Sequence, residues 1–296
     1  MALGAVKMLP LSPKFFTIYN LIYLSTHLYT MNIAIIGAGN MGGAVARGIL
    51  KNAPAHSIYI SNPSTKKLET LKQDFPQVQT TTDNKECIAS ADLIILAVKP
   101  WLVAQVITEI SGILDAKKHV LASLAGGISL NEIDGLLPNA VREAGIPLCH
   151  LMPNTAIAHG SSMTFISTLR TTAGIDASLL QIFSTMGKAM LIKEELMPAA
   201  TSLASCGIAF ALRYIRAAQE GGVELGFRPQ EAQEIVCQTL KGAIDLLSQE
   251  GAHPEAEIDK VTTPGGLTIR GLNAMEACGF THSVQQGLRA SLKKGS

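Results

Sequence analysis

Two groups of residues in this 296-residue chain have the types and the spacing to do chemistry. The first is Gly37-Ala38-Gly39-Asn40-Met41-Gly42, directly behind the apolar run Ile33-Ala34-Ile35-Ile36 and ahead of a small-residue stretch over 43–50. A strand, a glycine turn and a helix start in that order make a dinucleotide cradle. Gly37 permits the tight turn, Gly39 lets backbone approach a pyrophosphate, and Gly42 lets the helix sit close to the strand. The phosphates then meet the free N–H groups at the positive end of that helix. About twenty residues past the last glycine, sites that take NAD carry an acid for the ribose hydroxyls. Here that place falls at Asn62, in Ser61-Asn62-Pro63-Ser64, with Lys66 and Lys67 just beyond. No carboxylate would repel a 2′-phosphate and two cations could attract one, so the site reads as one for NADPH, with NADH as the lesser alternative. The same two lysines also fit the solvated face of a helix.

The second group is Val261-Thr262-Thr263-Pro264-Gly265-Gly266-Leu267-Thr268-Ile269-Arg270. Thr263 suits a helix N-cap and Pro264 the first helical position. Gly265 and Gly266 would then present unobstructed N–H groups, an anion site sized for a small carboxylate. Thr268 follows one turn past Pro264 on the same face, with a hydroxyl able to donate a hydrogen bond. By spacing alone, a plain capped helix is the better fit.

The elements that must position these groups follow from periodicity. Strands are expected over 33–36, 56–60, 92–98, 119–124, 147–151, 162–166 and 189–192, with helical patterns such as 64–75 between them. That alternation marks a mostly parallel, doubly wound sheet whose ligands lie beyond the carboxyl ends of the strands. The loops opening at Gly37, Ser61, Lys99, Ala125 and Met152 would ring one site. From Glu194 on, helical signals take over: one long helix over 196–225, another over 229–249, a short piece from Pro254, and a last pair starting at Pro264 and Phe280. The fold expected is therefore α/β. A Rossmann-type, doubly wound sheet over 31–193 precedes an all-helical dimerisation domain over 194–296. The stretch 197–212 carries no charge. It is too short and too interrupted for a membrane span, and a helix apolar all round must be covered. The simplest cover is a second copy of the chain in an intimate dimer.

Composition excludes other classes. A formal net charge of +1 gives no electrostatic case for nucleic acid or an anionic membrane surface. The five cysteines are odd in number, widely spaced and without a C-x-x-C pair, which argues for reduced thiols in the cytoplasm. The histidines show no metal-ligand spacing, so no metal is expected. Residues 1–30 read as an upstream or non-native extension, poor as a signal peptide and short for a membrane span.

From Met31 nearly to its end the chain resembles the pyrroline-5-carboxylate reductases. The motifs that carry the resemblance are IAIIGAGNMGGA, the Thr-Thr-Asp-Asn-Lys-Glu stretch containing Asn84, and 94–100 ending Ala97-Val98-Lys99-Pro100. They continue with SLAGGIS at 123–129, LMPNT at 151–155, Gly222-Val223-Glu224-Leu225-Gly226, and Asp259-Lys260-Val261-Thr262-Thr263-Pro264-Gly265-Gly266 with Thr268. The resemblance implies reduction of 1-pyrroline-5-carboxylate to L-proline by NADPH, the last step of proline synthesis, by a homodimer or a ring of dimers. By matching position, Thr268 would donate its hydroxyl to the imine nitrogen, and Thr263, Gly265 and Gly266 would hold the substrate carboxylate. Gly37, Gly39, Asn40, Met41, Gly42, Asn62, Asn84, Ala97, Val98, Lys99 and Pro100 would line the cofactor, with Ser61 and Lys66 close to its ribose. The chain departs from the family pattern at 204–210, where it reads ASCGIAF, at His150 where an arginine is common, and at Arg216. Those departures keep two other readings in view. One is a related imine or hydroxyacid oxidoreductase, and the other is a dinucleotide-binding homologue impaired in catalysis.

Overall fold

The structure is a computed structural model that describes residues 30–292. The extension expected at 1–30 lies, apart from Thr30, outside the described residues. Eight strands form one sheet in the order β3-β2-β1-β4-β5-β6-β7-β8. They are β1 (Asn32–Ile36), β2 (Ser57–Ser61), β3 (Gln79–Thr81), β4 (Leu93–Leu96), β5 (Val120–Ser123), β6 (Leu148–Met152), β7 (Ser162–Leu169) and β8 (Gly187–Leu191). Helices α1 (Asn40–Asn52), α2 (Thr65–Asp74), α3 (Asn84–Ile88), α4 (Val103–Ile110), α5 (Leu130–Leu136), α6 (Asn139–Glu143) and α7 (Ala173–Ser184) connect them.

The central strands are apolar on both faces because both faces are covered. Along β1, Ile33 and Ile35 enter one core with α1 and α7, while Ala34 and Ile36 enter the other with α4 and α5. The pairings are parallel except β6 with β7. Only the short 3₁₀ turn Thr155–His159 separates those two strands, too little chain for a parallel crossover. Strand β3 was not expected: Gln79, Thr80 and Thr81 are an edge strand with no apolar signature.

Past β8 the architecture becomes helical. A 3₁₀ turn (Glu194–Leu196), α8 (Met197–Ala200), a π-helical turn (Thr201–Cys206) and α9 (Gly207–Glu224) run on continuously. The expected helix over 196–225 is present, with the π turn inside it. Its full extent, Glu194–Glu224, is by length and composition long and apolar enough to cross a membrane, which corrects the narrower reading of 197–212. Helix α10 (Pro229–Leu247) packs on α9, and α11 (Pro254–Lys260), α12 (Leu267–Ala277) and α13 (Phe280–Ala290) follow.

Helix α12 begins at Leu267 rather than Pro264. Gly266 N–H donates to Thr263 O at 2.9 Å and Gly265 has φ of +69°, so 263–266 is a closed turn with proline second and glycine third. That pair favours a type II turn, whose third residue leaves the helical region. Thr263 is therefore not the N-cap. Gly266 occupies that place, without a side-chain hydrogen bond.

Candidate functional site

The glycine turn is built by close contacts that glycine alone allows. Gly37 has φ of +109°, and a Cβ there would lie 2.6 Å from Ala97 O. A Cβ on Gly42 would lie 1.9 Å from Gly37 O, so the helix can approach the turn only without one. Gly39 differs, because nothing stands within 4 Å of the place its Cβ would take. Space therefore opens over the start of α1, which has no side-chain cap and no acid in its first turn. An anion such as a pyrophosphate fits that combination of open space, uncapped N–H groups and positive helix end. The turn is also tied to its neighbours: Gly37 N–H donates to Ser61 O and Ala97 N–H to Ile36 O, each at 2.8 Å. This holds the 97–100 loop beside it.

Two side chains expected to face the ribose instead brace this frame. Asn62 is buried, accepts from Ala38 N–H at 3.0 Å and donates to Ser64 O at 3.1 Å. Ser61 is fully buried and donates to Asn84 Oδ1 at 2.7 Å, while Asn84 donates to Glu109 Oε2 at 2.8 Å. Asn62 still leaves the ribose position without a carboxylate. Lys66 is exposed and lies outside the groove beside the glycine turn. Helical spacing instead brings Lys67 and Thr70 to that groove, of about 360 Å³, opposite Gly39, Asn40, Gly43 and Arg47. Arg47 went unnoticed in the sequence, although it stands one turn beyond Gly43 on the same helix. It is bridged to Asp74 at 2.9 Å.

A larger cavity, of about 570 Å³, opens at the carboxyl ends of β5 and β6. The 126–129 loop, His150 and Met152 form one wall, and Glu194, Met197, Pro198, Thr201 and Ser291 form the other. It thus lies between the sheet and the helical segment. Glu194 was not anticipated: it is 44 residues from His150 in sequence, and their side chains meet at 3.1 Å.

The third group stands apart. Thr263, Gly265 and Thr268 are exposed on the turn and on α12, Gly266 is half-buried, and none of the four lines either cavity. The substrate residues expected from the sequence thus lie outside both of these cavities.

Two family profiles match the two halves. Residues 32–126 match one described as NADP oxidoreductase, coenzyme F420-dependent, and residues 194–296 match one described as pyrroline-5-carboxylate reductase dimerisation. Pyrroline-5-carboxylate reductase 2 of Dictyostelium discoideum is 37% identical over 280 residues, covering 90% of this chain and 92% of the relative. Pyrroline-5-carboxylate reductase 1 of that organism is 35% identical over 283 residues, and there the chain spans only 50% of the relative's length. Among solved structures, 1-pyrroline-5-carboxylate reductase from Streptococcus pyogenes superposes with a TM-score of 0.78 at 28% identity, covering 89% of this chain and 97% of its own. The Plasmodium falciparum pyrroline carboxylate reductase, solved with NADP bound, shares the fold with a TM-score of 0.80 at 23% identity, covering 90% of this chain and 97% of its own. With a relative this similar matched nearly end to end, the chain belongs to the pyrroline-5-carboxylate reductase family.

Proposed function

We propose that this protein reduces 1-pyrroline-5-carboxylate to L-proline with NADPH, the last step of proline synthesis. The observation that carries the reading is the glycine turn: open over Gly39, uncapped at α1, and without an acid at the ribose position. NADPH would supply the hydride. The backbone of Gly37, Gly39, Asn40, Met41 and Gly42 would hold its pyrophosphate, and Ala97, Val98, Lys99 and Pro100 would flank it. Asn84 would back the ribose, with Ser61 and Asn62 shaping the loop and Lys67 and Arg47 nearer than Lys66 to a 2′-phosphate.

Reduction of a C=N bond requires a proton or hydrogen-bond donor at nitrogen, a fixed carboxylate and exclusion of water. Thr268 would donate its hydroxyl to the imine nitrogen. The turn formed by Thr263, Gly265 and Gly266 would hold the carboxylate, with Gly265 N–H as a donor, since Gly266 N–H is already taken by Thr263 O. A second copy of the chain, docked through the exposed apolar faces of α9 and α10, would supply the missing walls and make the working unit a homodimer, alone or in a ring. All five cysteines are free thiols, consistent with the reducing cytoplasm.

The test is a steady-state assay following NADPH oxidation as 1-pyrroline-5-carboxylate is raised, with L-proline identified as product. Saturable turnover is expected. No oxidation above background at millimolar substrate would overturn the reading.

A further inference from the structure

Trp101 stands one residue past Pro100, the last position expected to flank the cofactor, and is the only tryptophan in the chain. It is 75% exposed, more than any other large apolar side chain among the described residues up to Ala200. Its backbone is nonetheless fixed. Pro100 opens the 3₁₀ turn Pro100–Leu102, Leu102 N–H donates to Lys99 O at 2.9 Å, and the turn runs straight into α4. An indole held in water on a closed turn forgoes the burial that large aromatic side chains usually gain. The loop that leads to it also stands against the glycine cradle, since a Cβ on Gly37 would lie 2.6 Å from Ala97 O and 3.3 Å from Val98 Cγ1.

Two observations point to the end of a dinucleotide that the indole would meet. Ser61 at the end of β2, on the ribose side of the cradle, donates to Asn84 Oδ1 on α3, and Asn84 donates to Glu109 Oε2 on α4. The ribose side is thereby joined to the helix that Trp101 heads, on the face of the sheet that α3 and α4 share. Trp101 also lines neither the groove beside Lys67 nor the larger cavity at the ends of β5 and β6. That cavity lies across the cradle from β2, on the nicotinamide side.

We propose that Trp101 is a cofactor-binding residue whose indole stacks on the adenine ring of bound NADPH. The inference rests on the cofactor named above and not on the imine substrate. Adenine is flat and aromatic, and stacking a base on an aromatic side chain strengthens binding without reading hydrogen bonds. A cation at the 2′-phosphate sorts NADPH from NADH, whereas Trp101 acts on both alike, because both carry the same base.

Adenosine 2′,5′-bisphosphate, which has the base and the 2′-phosphate but no nicotinamide, tests the contact without turnover. With one tryptophan in the chain, all indole emission comes from Trp101. Excited at the red edge of indole absorption, where adenine is transparent, that emission should be quenched saturably as the bisphosphate is added. By calorimetry, Trp101→Ala should weaken binding of the bisphosphate about tenfold, and Trp101→Phe should restore most of it. Sedimentation of each variant beside the wild type reads the competing cover for the indole, a second copy of the chain. A Trp101→Ala protein that binds like the wild type, or that loses self-association while keeping its affinity, would overturn the proposal and leave the reductase reading intact. A wild type that does not bind the bisphosphate would overturn the proposal and the NADPH assignment together.

Discussion

The two halves of the molecule bury their apolar residues in opposite ways. Up to Ala200 the sheet and its helices enclose two continuous cores, and side chains such as Phe183 and Ile95 are fully buried. Beyond Ala200, Ala232 is the only buried apolar residue among those described. Leu203 and Ile244 are each 64% exposed, and Leu267 is 84% exposed. A patch of that extent signals an interaction surface rather than a finished core. The sheet half encloses its own apolar side chains, whereas the helical half leaves most of its own exposed in a single copy of the chain. The dimerisation profile over 194–296 and the membrane-length run Glu194–Glu224 offer different covers for it. The match to a dimerisation family favours a second copy.

Phe183→Ala in the sheet half should cost about 3–5 kcal/mol by chemical denaturation, as buried aromatic deletions do. Leu203→Ala should leave the folding of the sheet half almost unchanged. A charge at the same place is a different matter. Leu203→Asp should abolish self-association, because an unpaired charge buried in an interface costs several kcal/mol. Sedimentation at micromolar concentration would then show a monomer where the wild type shows a dimer or larger. A monomeric wild type would remove the contrast altogether.

Smaller effects probe the cofactor side. NADPH should be preferred over NADH by about tenfold in kcat/KM, near 1.4 kcal/mol for one charged contact. Lys67→Ala should erode that preference and Lys66→Ala should not, since only Lys67 lines the groove beside Gly39. The smallest effect concerns acid. Burial works to raise the Glu194 carboxyl, but hydrogen bonds from His150, Ser167 and Leu130 N–H outweigh it and hold the group below its ordinary value. Its contribution to stability is thus present above the usual carboxylate range and lost as pH falls through the depressed value. Glu194→Gln should therefore flatten the acid limb of the wild-type stability curve below about pH 4.5.

Sequence legibility differed between the halves for the same reason. Apolar runs buried on both faces announce β1, β4, β5 and β6, and the glycine spacing announces the turn, because each signal is local. Gln79 to Thr81 gave no such signal, since an edge strand needs no apolar face. Pro264 looked like a helix start, but the left-handed Gly265 closes a turn first. Asn62 was read toward the cofactor, yet the backbone of Ala38 and Ser64 claims both ends of its side chain. The His150–Glu194 contact was invisible because only the folded sheet brings residues 44 apart into one cavity wall.

The proposed reaction divides the labour, with the cofactor on the sheet half and the imine on the helical half through Thr268. Thr268→Val tests it most directly. If the hydroxyl bonds the imine nitrogen as hydride arrives, the variant loses a contact that strengthens toward the transition state. Both kcat and kcat/KM should then fall together. A hydrogen bond to a developing charge contributes about 1.5–3 kcal/mol, so the fall should be roughly ten- to a hundredfold, with NADPH affinity unchanged. A Thr268→Val protein that keeps wild-type kcat would contradict the account.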